Sequence, residues 1–435
     1  MNLLVPDKTI TELDREFIWH PYTQMKTAGD PIAIAAAKDA LLTTESGDTF
    51  IDAISSWWVT LHGHANPHIA RNVYEQMLQL EHVIFAGFTH EPAVELGRRL
   101  LQHLPSNQEK LFFTDNGSTA VEVGLKMAIQ YFHNQEQRRH KIIAFEDAYH
   151  GDTFGAMSVG GSVFFRDAFG EYLFEVALLP VPVPGREAEC LQKLDELIAA
   201  HPEDIAVFLF EPLVLGAGGM LMYEPEVLNQ LIVRCRAHGI LCLADEVMTG
   251  FGRTGKFFAT DYLRHAPDII AMSKGLTGGT LPMAITSCSS EVYAVFHSDD
   301  KYKALYHGHS YTGNPVGCAA GLASMDLMEE DETWERIERI ARQHAAFAAS
   351  ISEHPNVAQV RQRGTILALE LRSDEDSSYF NSIRDRLNQY FMEQRVLLRP
   401  LGNVVYILPP YCITAEQLDR VYEVLRGAIK QLGNG

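Results

Sequence analysis

The stretch LADEVMTGFGRTGKFF occupies residues 243–258, and PDIIAMSKGLTGG follows at 267–279. The first opens with the end of an apolar run, ILCLADE, that closes on Asp245 and Glu246. The second carries another apolar run, DIIAM, that reaches Lys274 29 residues after Asp245. Short apolar runs bounded by turn residues read as strands buried on both faces, as in a parallel sheet. In such sheets the chemistry gathers at the carboxyl ends of the strands. Asp245 and Lys274 are therefore expected to converge at one sheet edge. Burial lowers a lysine's pKa and makes its amine nucleophilic, as Schiff-base chemistry requires. A lysine at a turn is ordinarily solvated. The apolar run before Lys274 and the glycine-rich turn after it, where backbone can approach a ligand closely, set it apart.

The same stretch invites two nucleotide readings. Gly250 to Gly255 fits GxGxxG, and Gly250 to Lys256 fits most of GxxxxGK[ST]. The first needs a helix after the glycines and an acid ending the next strand. Here a short aromatic stretch with a proline follows, and Asp268 begins the next strand instead. The second needs Ser or Thr after the lysine, where Phe257 stands. The glycines are expected to shape tight turns.

Outward from this core, strand and helix patterns alternate. KLFFT leads into a helix from Gly117-Ser118, KIIAF into a loop with Tyr149 and His150, and IAVFLFEP into a helix closed by Gly239. This alternation predicts an α/β architecture with a mainly parallel sheet. Short strands with a turn are expected over 38–54, a side-chain-presenting loop over 55–67, and helices after Pro67 and Glu91-Pro92. Beyond Pro315 the pattern predicts one helical region to about Glu353. A strand over 360–371, a helix, strands around 396–410 and a last helix follow. The chain of 435 residues divides into a large domain, 61–325, and a smaller α/β domain from 1–60 and 326–435.

Composition narrows the function class. Net charge is −20, which opposes binding to a phosphate backbone, so nucleic acid is not expected as a partner. No apolar segment is long enough to suggest a membrane span, and residues 1–17 lack the pattern of a secretory signal. The six cysteines form no C-x-x-C pair and most sit in apolar runs. They read as reduced core residues of a cytoplasmic protein, with no zinc framework.

LADEVMTGFGRTGKFFA together with PDIIAMSKGLTGG resembles the signature of class III pyridoxal-phosphate aminotransferases, and the resemblance runs from WHPYTQM to LPPYCI. It implies the pyridoxal-phosphate-dependent transferase fold type I and a homodimer with shared active sites. It also implies pyridoxal 5′-phosphate held on Lys274, with Asp245 at the pyridine nitrogen and ping-pong transamination. Gly117 and Ser118 would bind the phosphate at a helix start, as favoured by the helix dipole. Ser310, in HGHSYTGNP at 307–315, would join them from the partner subunit, with His309 a departure of unassigned effect. Tyr149 would stack on the ring, and Tyr22 is a further catalytic candidate. His150, Asp152 and Glu211 would join the surrounding polar network.

WHPYTQMK at 19–26, Trp57-Trp58, YHGDTFGAMSV at 149–159 and RPLGNVVYILPPY at 399–411 sharpen the resemblance. They point to members that aminate a long-chain keto acid carrying an amine beside its ketone, usually with adenosylmethionine as donor. Lysine as donor stays open, as does another ω-amine activity. Trp57, Trp58, Tyr22, Tyr149 and Tyr406 would wall the substrate channel with Gly308. Arg399 would bind the carboxylate, and Arg253 would lie near the entrance.

Overall fold

The computed structural model describes residues 8–161, 166–373 and 383–431. The N-terminal stretch discussed above therefore lies partly outside the described residues, as does Ser382 at the start of one expected helix.

The centre is a seven-stranded sheet. In spatial order its strands are Gln108–Thr114, Ala284–Ser289, Ile269–Met272, Leu241–Asp245, Ile205–Phe210, Lys141–Phe145 and Ala177–Leu179. Five run parallel. Ala284–Ser289 is antiparallel to both neighbours, which the alternation of strands and helices alone did not indicate. Ile205–Phe210 is buried throughout. Phe208 and Phe210 pack with one helix layer, and Val207 and Leu209 with the other. This two-sided burial is why its sequence is continuously apolar.

Helix Gly117–Asn134 crosses one face, capped by Asn116, whose side chain accepts from the Thr119 N–H at 3.1 Å. Helices Glu187–Ala200 and Pro225–Ala237 pack together on the other side. A second sheet joins distant parts of the chain: Ile34–Lys38, Leu41–Thr44 and Thr49–Asp52 form a meander, and Val396–Leu397 pairs parallel with the last of these. The first strand of the meander was not expected. No helix of the described residues is long and apolar enough to cross a membrane.

Two further elements differ from the sequence reading. The helical region after Pro315 is two helices, Pro315–Met328 and Asp331–Ile351. Thr333 Oγ donates to the Leu327 carbonyl at 2.7 Å, and Trp334 Nε1 to that of Met328 at 2.8 Å, so side chains satisfy the first helix's terminal carbonyls. The expected strand over 360–371 is a hairpin of Val357–Arg363 and Ile366–Leu371. It turns at Gly364, whose φ is +55°.

That turn sits directly on the glycine-rich loop. A Cβ at Gly364 would lie 2.3 Å from the Thr254 carbonyl carbon and 2.4 Å from the Gly255 nitrogen. Thr365 donates from both its N–H and its hydroxyl to the Arg253 carbonyl, at 2.9 and 3.1 Å. The loop's own turns use Gly252 and Gly255 at φ +92° and +94°. Gly364→Ala is expected to destabilise the protein by about 2 kcal/mol or more, since both contacts are backbone and the φ is unfavourable for alanine. A lowered thermal unfolding midpoint would show it, and an unchanged midpoint would contradict the packing described.

Candidate active site

Strand pairing builds the site. Asp245 sits opposite Ala271, and Ala244 opposite Phe210, all in parallel register. The next residues outward, Glu211 on one strand and Ser273-Lys274 on the other, therefore reach the same carboxyl edge as Asp245. Lys274 has φ +45°, a left-handed conformation rare for lysine, and begins a single helical turn. Such local strain occurs where the surrounding structure fixes a functional group.

These residues line a cavity of about 690 Å³ with Trp58, Gly117, Ser118, Tyr149, His150 and Asp152. Asp245 is buried and its carboxylate is fixed twice. Oδ2 is 2.7 Å from His150 Nδ1, and Oδ1 accepts from the Val247 N–H at 3.0 Å. Burial pulls the Lys274 amine down to about 8, against an opposing pull from the charges of Asp245 and Glu211. Its Nζ lies 4.6 Å from the centre of the Trp58 ring. Burial also raises Glu211 to about 7. Its carboxylate accepts from the Tyr149 N–H at 3.1 Å and the Gly216 N–H at 2.9 Å.

At the helix start, Ser118 Oγ is 2.7 Å from Thr153 Oγ1 and accepts from the Thr153 N–H at 3.1 Å. Tyr22 reaches in from the N-terminal segment: its hydroxyl lies 3.1 Å from that of Tyr149 and donates to Asp152 Oδ2. Tyr22 also packs on Trp57, with ring centres 5.7 Å apart. Trp57 is half-exposed, and the Arg399 guanidinium lies 4.9 Å from its ring centre. Trp58 turns inward and donates from Nε1 to the Tyr406 hydroxyl at 2.9 Å. The neighbouring tryptophans thus face different surroundings, though on a tight turn where an extended loop was expected.

Seven expected residues do not line this cavity: Tyr22, Trp57, Arg399 and Tyr406, whose contacts are given above, and Arg253, Gly308 and Ser310. Gly308 and Ser310 are exposed on the segment before Pro315 and do not line this cavity of a single chain. Arg253 is not at an entrance; it is 1% exposed. Its guanidinium donates to the carbonyls of Pro409 at 2.8 Å and Trp58 at 3.2 Å, and lies 5.2 Å from the Tyr411 ring centre. The turn that follows Phe251 directs it inward. Sequence reasoning missed Thr153, Ser273 and Met283, which line the cavity without any recognisable pattern. It also left Glu246 without a role. Glu246 is buried and accepts from Thr249 Oγ1 and from the N–H groups of Ala259 and Thr260, which pins the glycine-rich loop.

The lining fits pyridoxal phosphate. His150 Nε2 is buried with no hydrogen-bond partner among the described residues. Beside it stand a buried carboxylate, a buried amine and a helix N-terminus of the kind that binds phosphate.

Residues 23–429 match the family described as aminotransferase class-III. The chain belongs to this family. The adenosylmethionine-8-amino-7-oxononanoate aminotransferase of Synechococcus elongatus is 46% identical over 423 residues, covering 95% of this chain and 99% of the relative. The enzyme of the same name from Geobacter sulfurreducens is 38% identical over 447 residues, covering 98% and 99%. Among solved structures, that of the same-named enzyme from Methanocaldococcus jannaschii superimposes with a TM-score of 0.92 at 34% identity, covering 97% of this chain and 98% of that one. An (S)-enantioselective omega-transaminase from Thermomicrobium roseum reaches the same TM-score at 27% identity, covering 97% and 98%. The architecture is accordingly that of the class III aminotransferases, fold type I.

Burial sets the Lys274 amine low, and the charges of Asp245 and Glu211 oppose it. Asp245→Asn removes a negative charge that raises the Lys274 pKa, so the amine should titrate below about 8 in the variant. The pH dependence of Lys274 modification by a neutral amine-reactive probe, read by mass spectrometry on cofactor-free protein, measures it. An upward shift would contradict this balance.

Proposed function

We propose that this chain transfers an amino group to 8-amino-7-oxononanoate, forming 7,8-diaminononanoate in biotin biosynthesis. S-adenosyl-L-methionine is the proposed donor and pyridoxal 5′-phosphate the cofactor. The observation that carries this reading is the buried Lys274 amine, lowered to about 8, in one cavity with the oriented carboxylate of Asp245. The near full-length similarity to relatives of that name supports the choice of substrate.

Pyridoxal phosphate, when bound, supplies an electron sink for the carbon that bears the migrating amine. Gly117 and Ser118 would hold its phosphate, Tyr149 a face of its ring, Asp245 its ring nitrogen and Lys274 its carbonyl carbon. Asp245 is suited to keep a proton on that nitrogen because His150 and the Val247 N–H already aim its oxygens. Lys274 Nζ, largely unprotonated above about pH 8, would take the proton from the donor's α-carbon and deliver it to the carbon on the other side of the migrating nitrogen. Tyr22, hydrogen-bonded to Asp152 and close to Tyr149, closes the substrate side of the cavity and holds its hydroxyl proton toward the carboxylate. Trp57 and Trp58 would wall the apolar chain of the keto acid, with the Tyr406 hydroxyl holding Trp58 from behind, and Arg399 would pair with its carboxylate.

Gly308 and Ser310 would serve the cavity of a second copy, in a homodimer with shared sites. The exposed position of both on the segment before Pro315 is compatible with that role. The proposed location is the cytoplasm.

The holoenzyme should convert the keto acid to the diamine when adenosylmethionine is supplied. Absence of diamine with any donor would sink the substrate assignment. The structural likeness to an omega-transaminase keeps a second reading in view, and conversion of cofactor by simple ω-amines but not by adenosylmethionine would favour it. Lys274→Ala should lower turnover by at least about 10² to 10⁴-fold, the range for losing a positioned acid–base group. Arg399→Leu should raise KM for the keto acid roughly 10- to 100-fold, since a charge-assisted hydrogen bond contributes about 1.5–3 kcal/mol. An unchanged KM would remove Arg399 from the carboxylate site.

A further inference from the structure

The turn that carries Trp57 and Trp58 is built against its own backbone preferences. Ser55, Ser56 and Trp58 have φ of 51°, 56° and 67°, and Trp57 lies at φ −128° between them. Left-handed conformations at non-glycine residues are costly singly, by about 1–3 kcal/mol, and persist only where surrounding contacts impose them. Three of them within four residues need an anchor.

Asp52 is that anchor. Its side chain is wholly buried, at the end of strand Thr49–Asp52. Oδ1 accepts from the N–H groups of Ile54 at 3.2 Å and Ser56 at 2.9 Å. Oδ2 accepts from the Ser56 N–H at 2.7 Å and the Ser56 hydroxyl at 3.1 Å, and lies 2.8 Å from His64 Nε2. His64 is itself fixed by a two-way backbone bridge to Asp39, at 2.8 and 3.1 Å. On the far side of the turn, Ser55 Oγ donates to the Leu408 carbonyl at 2.8 Å. Arg253 donates to the Trp58 carbonyl. A carboxylate that accepts in so many directions can be satisfied only while Ser56 keeps its left-handed conformation. The turn then sends Trp57 toward Tyr22 and Arg399, and Trp58 toward Lys274.

We propose that Asp52 is a positioning residue for substrate selection. Touching neither the cavity nor its contents, it fixes the Ser55–Trp58 turn and so sets the aromatic wall and the place of Arg399 against Trp57. The inference rests on the transaminase reading above only for the identity of the substrate. Asparagine is the informative replacement, because its Nδ2 can accept none of the bonds now made to one oxygen, while its volume is nearly unchanged.

The test combines kinetics with a readout that needs no substrate. In Asp52→Asn holoenzyme, KM for 8-amino-7-oxononanoate should rise at least 10-fold while kcat changes less than 3-fold. Amide hydrogen exchange over residues 53–60 should quicken at least 10-fold with the central sheet unaffected. In a Trp57→Ala background the further effect of Asp52→Asn on KM should fall below 3-fold, since the residue acts through that wall. Unchanged exchange over 53–60, a loss confined to kcat, or fully additive KM effects in the double variant would each overturn the proposal. Should Asp52→Asn fail to fold, Ser56→Gly removes the hydroxyl bond and the strain together. It should raise KM at least 3-fold with faster local exchange, and wild-type values for both would equally overturn the proposal. A wild-type enzyme inactive on this keto acid would defeat the substrate assignment, while the exchange result would still decide the role of Asp52.

Discussion

The pairing of Leu241–Asp245 with Ile269–Met272 is the constraint on which the rest depends. It is a parallel ladder of a few residues, and its register sets Asp245 opposite Ala271. A slip by one residue would turn Asp245 toward the opposite face of the sheet. Close side-chain packing on both faces guards against such a slip, since every residue of each strand is enclosed. The lowered Lys274 pKa follows from the same enclosure, as does the raised one of Glu211. The chemistry of the edge is thus a by-product of how completely the centre of the sheet is covered.

Much of this was legible in the sequence because it is local. Apolar runs ending in Asp245 and before Lys274 announce buried strands and the edge where they stop. Helix starts at Pro67, Glu91 and Gly117 carry their own signals. What escaped depends on contacts between distant residues. The hairpin at Gly364 reads as one strand, because a single glycine in an alternating run does not reveal the loop of Arg253–Gly255 lying against it. The break between Met328 and Asp331 has no proline or glycine, and only Thr333 and Trp334 folding back on the preceding carbonyls end the first helix. The antiparallel course of Ala284–Ser289 is likewise invisible in a short apolar run.

The site divides along the same line. Lys274, Asp245, Gly117, Ser118 and Tyr149 are legible in the sequence and stand around one cavity, because each lies at or shortly beyond the carboxyl end of a strand of the central sheet. The family resemblance implies an entrance position for Arg253, which its local sequence neither supports nor excludes. It is instead among the most enclosed side chains, held by carbonyls of Trp58 and Pro409. Gly308 and Ser310 lie exposed and outside the cavity of a single chain, and the second-copy role proposed for them leaves no sign in their own sequence.

The enclosed Arg253 also acts as a structural rivet. Its side chain fastens the tryptophan turn to the segment at Pro409, while its own carbonyl receives Thr365 from the hairpin. One residue of the central loop therefore ties three stretches drawn from both ends of the chain. Any rocking of the C-terminal hairpin against the central sheet would have to drag Trp58, and with it the wall over Lys274. Variation accumulated far out on that hairpin could thus reshape the cavity by leverage, without altering a single lining residue.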